Sequence, residues 1–191
     1  MRGIPHIITR AALVAALVTL PLAAGENLLE KEDQLTNYTV LPGEAARKVK
    51  QAGGDFKVKV DKDFEVGNRK AAVIVMHRQI IPVANFETYR CRIKAKGDDK
   101  QTATIVLYYL DKDKKQITGA WTKWPTGIAL TGRNQEHQVE HKILGDLDAA
   151  SGVVSAVEAY ANGEVGFIQF AVLVEGEGGA ELSEFSIEKI P

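Results

Sequence analysis

Two tryptophans, Trp121 and Trp124, stand three residues apart in "GAWTKWPTG", beside Pro125 and between glycines. Indole rings held in a loop or bent strand offer flat apolar surfaces that suit the C–H face of a sugar ring, with neighbouring polar groups free to meet its hydroxyls. An extended chain would turn the two rings to opposite faces, so one can be a platform while the other is core. A second set of groups lies in "ETYRCRIKAKGD", where Arg90, Arg92, Lys94 and Lys96 alternate with Tyr89, Cys91, Ile93 and Ala95. On a strand the cations share one side. The guanidinium forks of Arg90 and Arg92 then suit a carboxylate or sulfate, while the same pattern also describes a solvated face or a guarded edge. Tyr108 is the third candidate. In "TIVLYYL" it is in phase with Thr104, Val106 and Leu110, opposite Ile105, Leu107 and Tyr109, and a one-sided sheet would send only one of the two tyrosines to the core. If this strand neighbours the Arg90 strand, Tyr108 joins its basic face.

No arrangement for covalent or hydrolytic catalysis is visible. The sequence contains no G-x-S-x-G elbow, no H-E-x-x-H and no Gly-rich phosphate loop at a strand-to-helix turn. His137 and His141 share strand parity in "HQVEHKI", but four residues of strand separate them by about 13 Å, too far to share one zinc ion. The lone cysteine, Cys91, cannot form an internal disulfide and falls on the apolar phase, where it is expected to act as a small buried hydrophobe.

These groups must be positioned by strands. "DFKVKVD" alternates Phe56, Val58 and Val60 with lysines; "KAAVIVMHRQIIPV", "TATIVLYYLD", "HQVEHKI", "EVGFIQFAVLVEG" and "AELSEFSIEKI" follow, separated by charged or glycine-containing turns. Only "LPGEAARKVKQAGG" and "LGDLDAASG" suit a short helical turn, the first closed by its glycines. The expected fold is all-β: an antiparallel β-sandwich of jelly-roll type with one or two short helical turns. With 191 residues, 45% of them hydrophobic, the chain can build one sizeable core. A formal net charge of -1 argues against a dedicated nucleic-acid binder.

The N-terminus reads differently. Arg2 and Arg10 precede the apolar run "AALVAALVTLPLA" and the small residues Ala23 to Gly25, the layout of a secretory signal peptide over residues 1–25. The run is shorter than the ~20 residues that span a bilayer. A single domain over 26–191, secreted or periplasmic and without a stable membrane span, is expected.

The stretches "NLLEKEDQLTNYTVLPG", "VIVMHRQIIPVANFETYRCRIKAKGDDKQTATIVLYYLD" and "GEVGFIQFAVLVEGEGGAELSEFSIEKI" together resemble the galactose-binding-like jelly rolls used as secreted carbohydrate-binding modules. Asn27, Leu28, Leu29, Tyr38, Tyr89, Ala95, Lys96, Ile187 and Glu188 fall in matching places, and the resemblance spans nearly all of 26–191. It implies a sandwich that binds a polysaccharide or other glycan. Such folds commonly hold a structural calcium, which takes six to eight oxygens. Here Ser183 and Glu184 replace the family's C-terminal Asp pair and "DQLT" contracts its acidic opening, leaving Glu30, Asp33 and Glu184 as the carboxylates that could contribute. No other cofactor is expected.

Three function classes follow. The first is a non-catalytic, exported carbohydrate-binding protein using Trp121, Trp124, Tyr108, Arg90 and Arg92 in an aromatic and basic face or rim. The second is an extracytoplasmic protein with a protein partner, marked by an exposed apolar patch. The third is a polysaccharide hydrolase or lyase, marked by a cleft with two carboxylates, or with His, Tyr and Arg.

Overall fold

The computed structural model describes residues 25–121, 127–143 and 165–191, with backbone alone at 118–121. Strict alternation drives the architecture. In β3 (Asp55–Val60) and β8 (Thr88–Gly97) every second side chain is buried, and those faces are pressed together with their counterparts from the other sheet. One sheet has five strands in the order β12 (Gln135–Lys142), β8, β14 (Gly178–Ile190), β3 and β2 (Val49–Ala52). The other has the order β1 (Tyr38–Leu41), β6 (Ala72–His77), β13 (Val165–Glu175), β9 (Thr102–Asp111) and β10 (Gln116–Trp121), with β7 (Ile81–Pro82) on β13 and β11 (Ile128–Ala129) on β9. All pairings are antiparallel. The expected antiparallel β-sandwich is therefore the observed one.

Between the sheets lies an aromatic centre. The Tyr38 ring stands edge-on to Phe56 at 4.8 Å and to His77 at 4.7 Å, and Phe185 packs on Phe56 at 5.3 Å. Cys91 is fully buried there, and burial pushes its thiol up, consistent with a small hydrophobe. The second sheet is not one-sided. Ala72, Ile74, Val106, Ala171 and Leu173 form a separate buried cluster on its outer face, joined by Met76, Tyr108 and Val66 of the short hairpin β4 (Glu65–Val66) and β5 (Arg69–Lys70). That hairpin is tied down by Arg69 Nη1 donating to Glu175 at 2.6 Å. Burial on both faces explains why β6, β9 and β13 read as continuous apolar runs.

Two short segments depart from expectation. The helical turn of "LPGEAARKVKQAGG" is a 3₁₀ turn over Gly43–Lys48, and a second covers Leu35–Asn37. Its glycines do not end a helix: Gly53 and Gly54 make the two-residue turn of the β2–β3 hairpin, with Ala52 opposite Asp55. The second expected turn, "LGDLDAASG", lies outside the described residues, as does the signal-peptide reading apart from Gly25. Among the described residues no helix is long and apolar enough to cross a membrane.

The chain start is stapled to the last strand. Leu28 N–H donates to Ile187 O at 2.8 Å, and the Asn27 side chain donates to Phe185 O while accepting from the N–H groups of Leu29 and Ile187, each at 3.1 Å. These bonds serve β14 where its ladder with β8 shifts register between Ser183 and Ser186, with Glu184 at φ 50°. Two residues beyond Ile187 on β14, Lys189 Nζ donates to Glu87, which also accepts from Tyr89 Oη at 2.7 Å and from Ala84 N–H at 2.9 Å. The Lys189 bond is the leading reason its carboxyl is lowered from 4.5 to about 2. A carboxylate held below its unfolded value stabilises the fold above pH 4.5 and loses that contribution as pH falls toward 2. Glu87→Gln should therefore lower stability at pH 7 by about 1 kcal/mol, a melting shift of roughly 2–4 °C. The gap between variant and parent should close between pH 4.5 and 2. Paired thermal melts across that range check both statements.

Candidate functional site

The outer face of the five-stranded sheet is a grid of alternating charge. β8 lies between β12 and β14, in a register that puts Glu140 and Glu188 on either side of Arg90. Arg90 donates from Nε and Nη2 to Glu140 Oε1 at 3.1 and 2.9 Å. Arg92 Nη2 reaches Glu188 at 3.0 Å, Lys94 reaches Glu184 at 2.7 Å, and Lys96 reaches Glu181 at 2.8 Å. These partners raise the ammonium pKa values of Lys94 and Lys96, chiefly through their hydrogen bonds, and Lys96 likewise lowers that of Glu181. The face is thus close to neutral along β8. Arg92 carries more of the structure than its neighbours do: Glu188 is buried, and Arg92 Nε is itself buried without a hydrogen-bond partner.

The aromatic candidates lie elsewhere. β9 belongs to the other sheet, so Tyr108 does not share a face with Arg90 and Arg92; it packs half-buried on the outer apolar cluster, across the sandwich from them. Tyr109 takes the inner face, and its hydroxyl meets His141 Nε2. Trp121 sits at the end of β10 with its backbone in register with Tyr108. Its side chain and all of Trp124 lie outside the described residues. The structure therefore separates the two halves of the expected composite site because β8 and β9, though consecutive, cross from one sheet to the other.

Other expected groups divide similarly. Asp33 and Glu184 line a pocket of about 290 Å³ with Glu32 and Asp55, whereas Glu30 is not among its lining residues. The Glu30 carbonyl instead meets His77 Nε2 at 3.2 Å, and the Glu32 carbonyl accepts from Tyr38 Oη at 2.7 Å. Among the described residues no group of three or more His, Cys, Asp or Glu side chains converges to hold a metal ion. His137 and His141 both point inward from β12 and are buried, and His137 Nε2 lacks a hydrogen-bond partner. Desolvation lowers the pKa of His137.

The largest hollow among the described pockets lies at the opposite edge of the same sheet. It measures about 870 Å³ and is lined by Arg47, Lys48, Lys50, Lys57, Lys59 and Lys96, with Glu181 at one side and Val58, Gly179 and Ala180 below. Reading "VKQAGG" as the end of a helical turn, ahead of the strand "DFKVKVD", conceals this groove in the sequence. Taken as a Gly-Gly hairpin, the same letters pair 52 with 55, so Lys50 must fall opposite Lys57.

The sequence matches no family model and no curated protein. Solved structures do match. The N-terminal cellulose-binding domain of Cellulomonas fimi β-1,4-glucanase C aligns over 84% of this chain and 93% of its own, with a TM-score of 0.51 at 12% identity. The fold is a β-sandwich of the same architecture as that domain. The enzymatically active domain of bacteriophage CBA120 tailspike protein 4 aligns over 86% of this chain, at 9% identity and a TM-score of 0.50, but the match spans only 21% of that domain's own chain. At these identities the sandwich shares an architecture with its neighbours and nothing finer.

Arg92 and Arg90 can be told apart by stability. Arg92→Ala strands the buried Glu188 carboxylate and should cost on the order of 1–3 kcal/mol. Arg90→Ala removes an exposed pair and should cost less than about 1 kcal/mol. Urea denaturation of both variants measures the difference.

Proposed function

We propose that this protein binds polysaccharide outside the cytoplasm without cleaving it. The observation that carries the reading is the end-to-end alignment of the sandwich with a cellulose-binding domain, over 84% of one chain and 93% of the other. The resemblance in Asn27–Leu29, Tyr38 and β14 supports it from the residues: Asn27 staples the chain start to β14, and Tyr38 fills the core. The basic and apolar N-terminal run supports export, with residues 26–191 as the exported domain.

The carboxylates of the five-stranded face support a binding role over a hydrolytic one. Glu140, Glu181, Glu184 and Glu188 each accept from a cation, and Glu87 and Glu181 are shifted downward. A glycoside hydrolase acid must instead be held protonated near neutral pH. In affinity gels containing neutral, carboxylated or sulfated polysaccharide, the protein should be retarded by at least one polymer and should release no reducing ends. Unretarded migration in all of them, by protein shown to be folded, would contradict the reading, as would released ends.

A further inference from the structure

Resting on the polysaccharide-binding reading, a ligand class and a location can be assigned. We propose that the groove along the β2–β3 edge binds an acidic polysaccharide, whose repeating carboxylate or sulfate groups pair with Lys50, Lys57, Lys59 and Arg47 while its sugar rings lie over Gly179.

Three features of the groove converge on such a ligand. The first is charge that the protein leaves uncompensated. Lys50 stands directly across from Lys57, a like-charged cross-strand pair that disfavours the ladder unless an anion lies between or above the two ammonium groups. Arg47 and Lys50 make no ion pair among the described residues. Lys57 lies 3.8 Å from Glu181, which Lys96 holds more closely at 2.8 Å. Lys48 and Lys59 share the single carboxylate of Asp61 at 3.5 and 3.8 Å, on exposed side chains where such pairs contribute little.

The second feature is the floor. Gly179 faces outward from β14 in ordinary extended backbone, opposite Lys59, and nothing lies within 4 Å of where a Cβ would be. Gly179 is the second residue of β14, and a strand glycine that no positive φ requires marks a place where another chain can approach closely. The third is spacing. The row across the sheet runs Lys50, Lys57, Glu181 and Lys96, so two cations stand on adjacent strands about 4.8 Å apart at the β2–β3 edge before a glutamate intervenes. Lys59 extends this basic strip along β3, an arrangement that suits a polymer with an anion on each sugar. The groove's lining contains no aromatic ring, so the stacking by which single-stranded nucleic acids are held is missing there.

Titration calorimetry with polygalacturonate, dextran sulfate and neutral dextran tests the assignment. The parent should bind at least one acidic polymer at least tenfold more tightly than the neutral one. Lys50→Glu with Lys57→Glu should weaken acidic binding tenfold or more, and Gly179→Leu should do the same with no change of charge. A charge-matched control, Lys112→Glu with Lys115→Glu on the β9–β10 turn of the other sheet, should change it less than twofold. The polygalacturonate and sulfate arms show which anion is preferred. Equal weakening by the remote control, or unchanged acidic binding in a folded Gly179→Leu variant, would overturn the groove as a specific site. So would a single-stranded oligonucleotide that competes as well as the acidic polysaccharide. Binding to neutral dextran without preference for acidic polymers overturns this assignment alone, whereas binding to no polymer removes the polysaccharide reading with it. Should Gly179→Leu not fold, the lysine variants measured against the remote control decide the question.

Discussion

Strand β8 is paired on both sides, residue for residue with β12 and, up to the register shift near Glu184, with β14. That double ladder admits one register. A slip by one residue would turn Tyr89, Cys91, Ile93 and Ala95 to water and bury Arg90, Arg92, Lys94 and Lys96, a desolvation no core could offset. The same register decides the electrostatics of the outer face, because it places a glutamate beside or diagonal to every cation of the strand. The aromatic centre behind the strand and the neutralised grid in front of it follow from one set of hydrogen bonds.

A charge in the middle of this sheet has acidic neighbours on two strands, and at the β2 edge it has a neighbour on one side only. There the compensation stops. The cations of β2, β3 and the 3₁₀ turn before them accumulate although the whole chain carries a formal charge of only -1. The basic groove is therefore a product of sheet order and not of composition. Lysines on an edge strand also discourage pairing with another chain. That role accounts for single lysines, but it does not account for two facing each other across a hairpin, with Lys59 further along β3 beside the bare Gly179.

Much of the fold was legible from local pattern. Period-two alternation identified the inward faces of β3, β8 and β12, and the phase of "TIVLYYL" correctly sent Tyr109 inward and Tyr108 outward. What period cannot reveal is which strand pairs with which. β8 and β9 are adjacent in sequence yet lie in different sheets, and this single crossover separates Tyr108 from Arg90 and Arg92. The outer apolar cluster was hidden for a related reason, since a strand buried on both faces shows no alternation. The β2–β3 groove was legible in principle from Gly53–Gly54 and the flanking lysines; competition between a helix C-cap and a hairpin turn, which use the same residue, obscured it.

The central claim is that ligand recognition sits at the β2–β3 edge of the five-stranded sheet. Amide chemical-shift mapping of the isotopically labelled protein, titrated with an acidic oligosaccharide, tests it residue by residue. The account predicts saturable shifts clustered at 47–50, 57–59, 96 and 178–181, with the seven-stranded sheet unmoved. Shifts confined to the surroundings of Tyr108 and the end of β10, with the lysine edge silent, would contradict it.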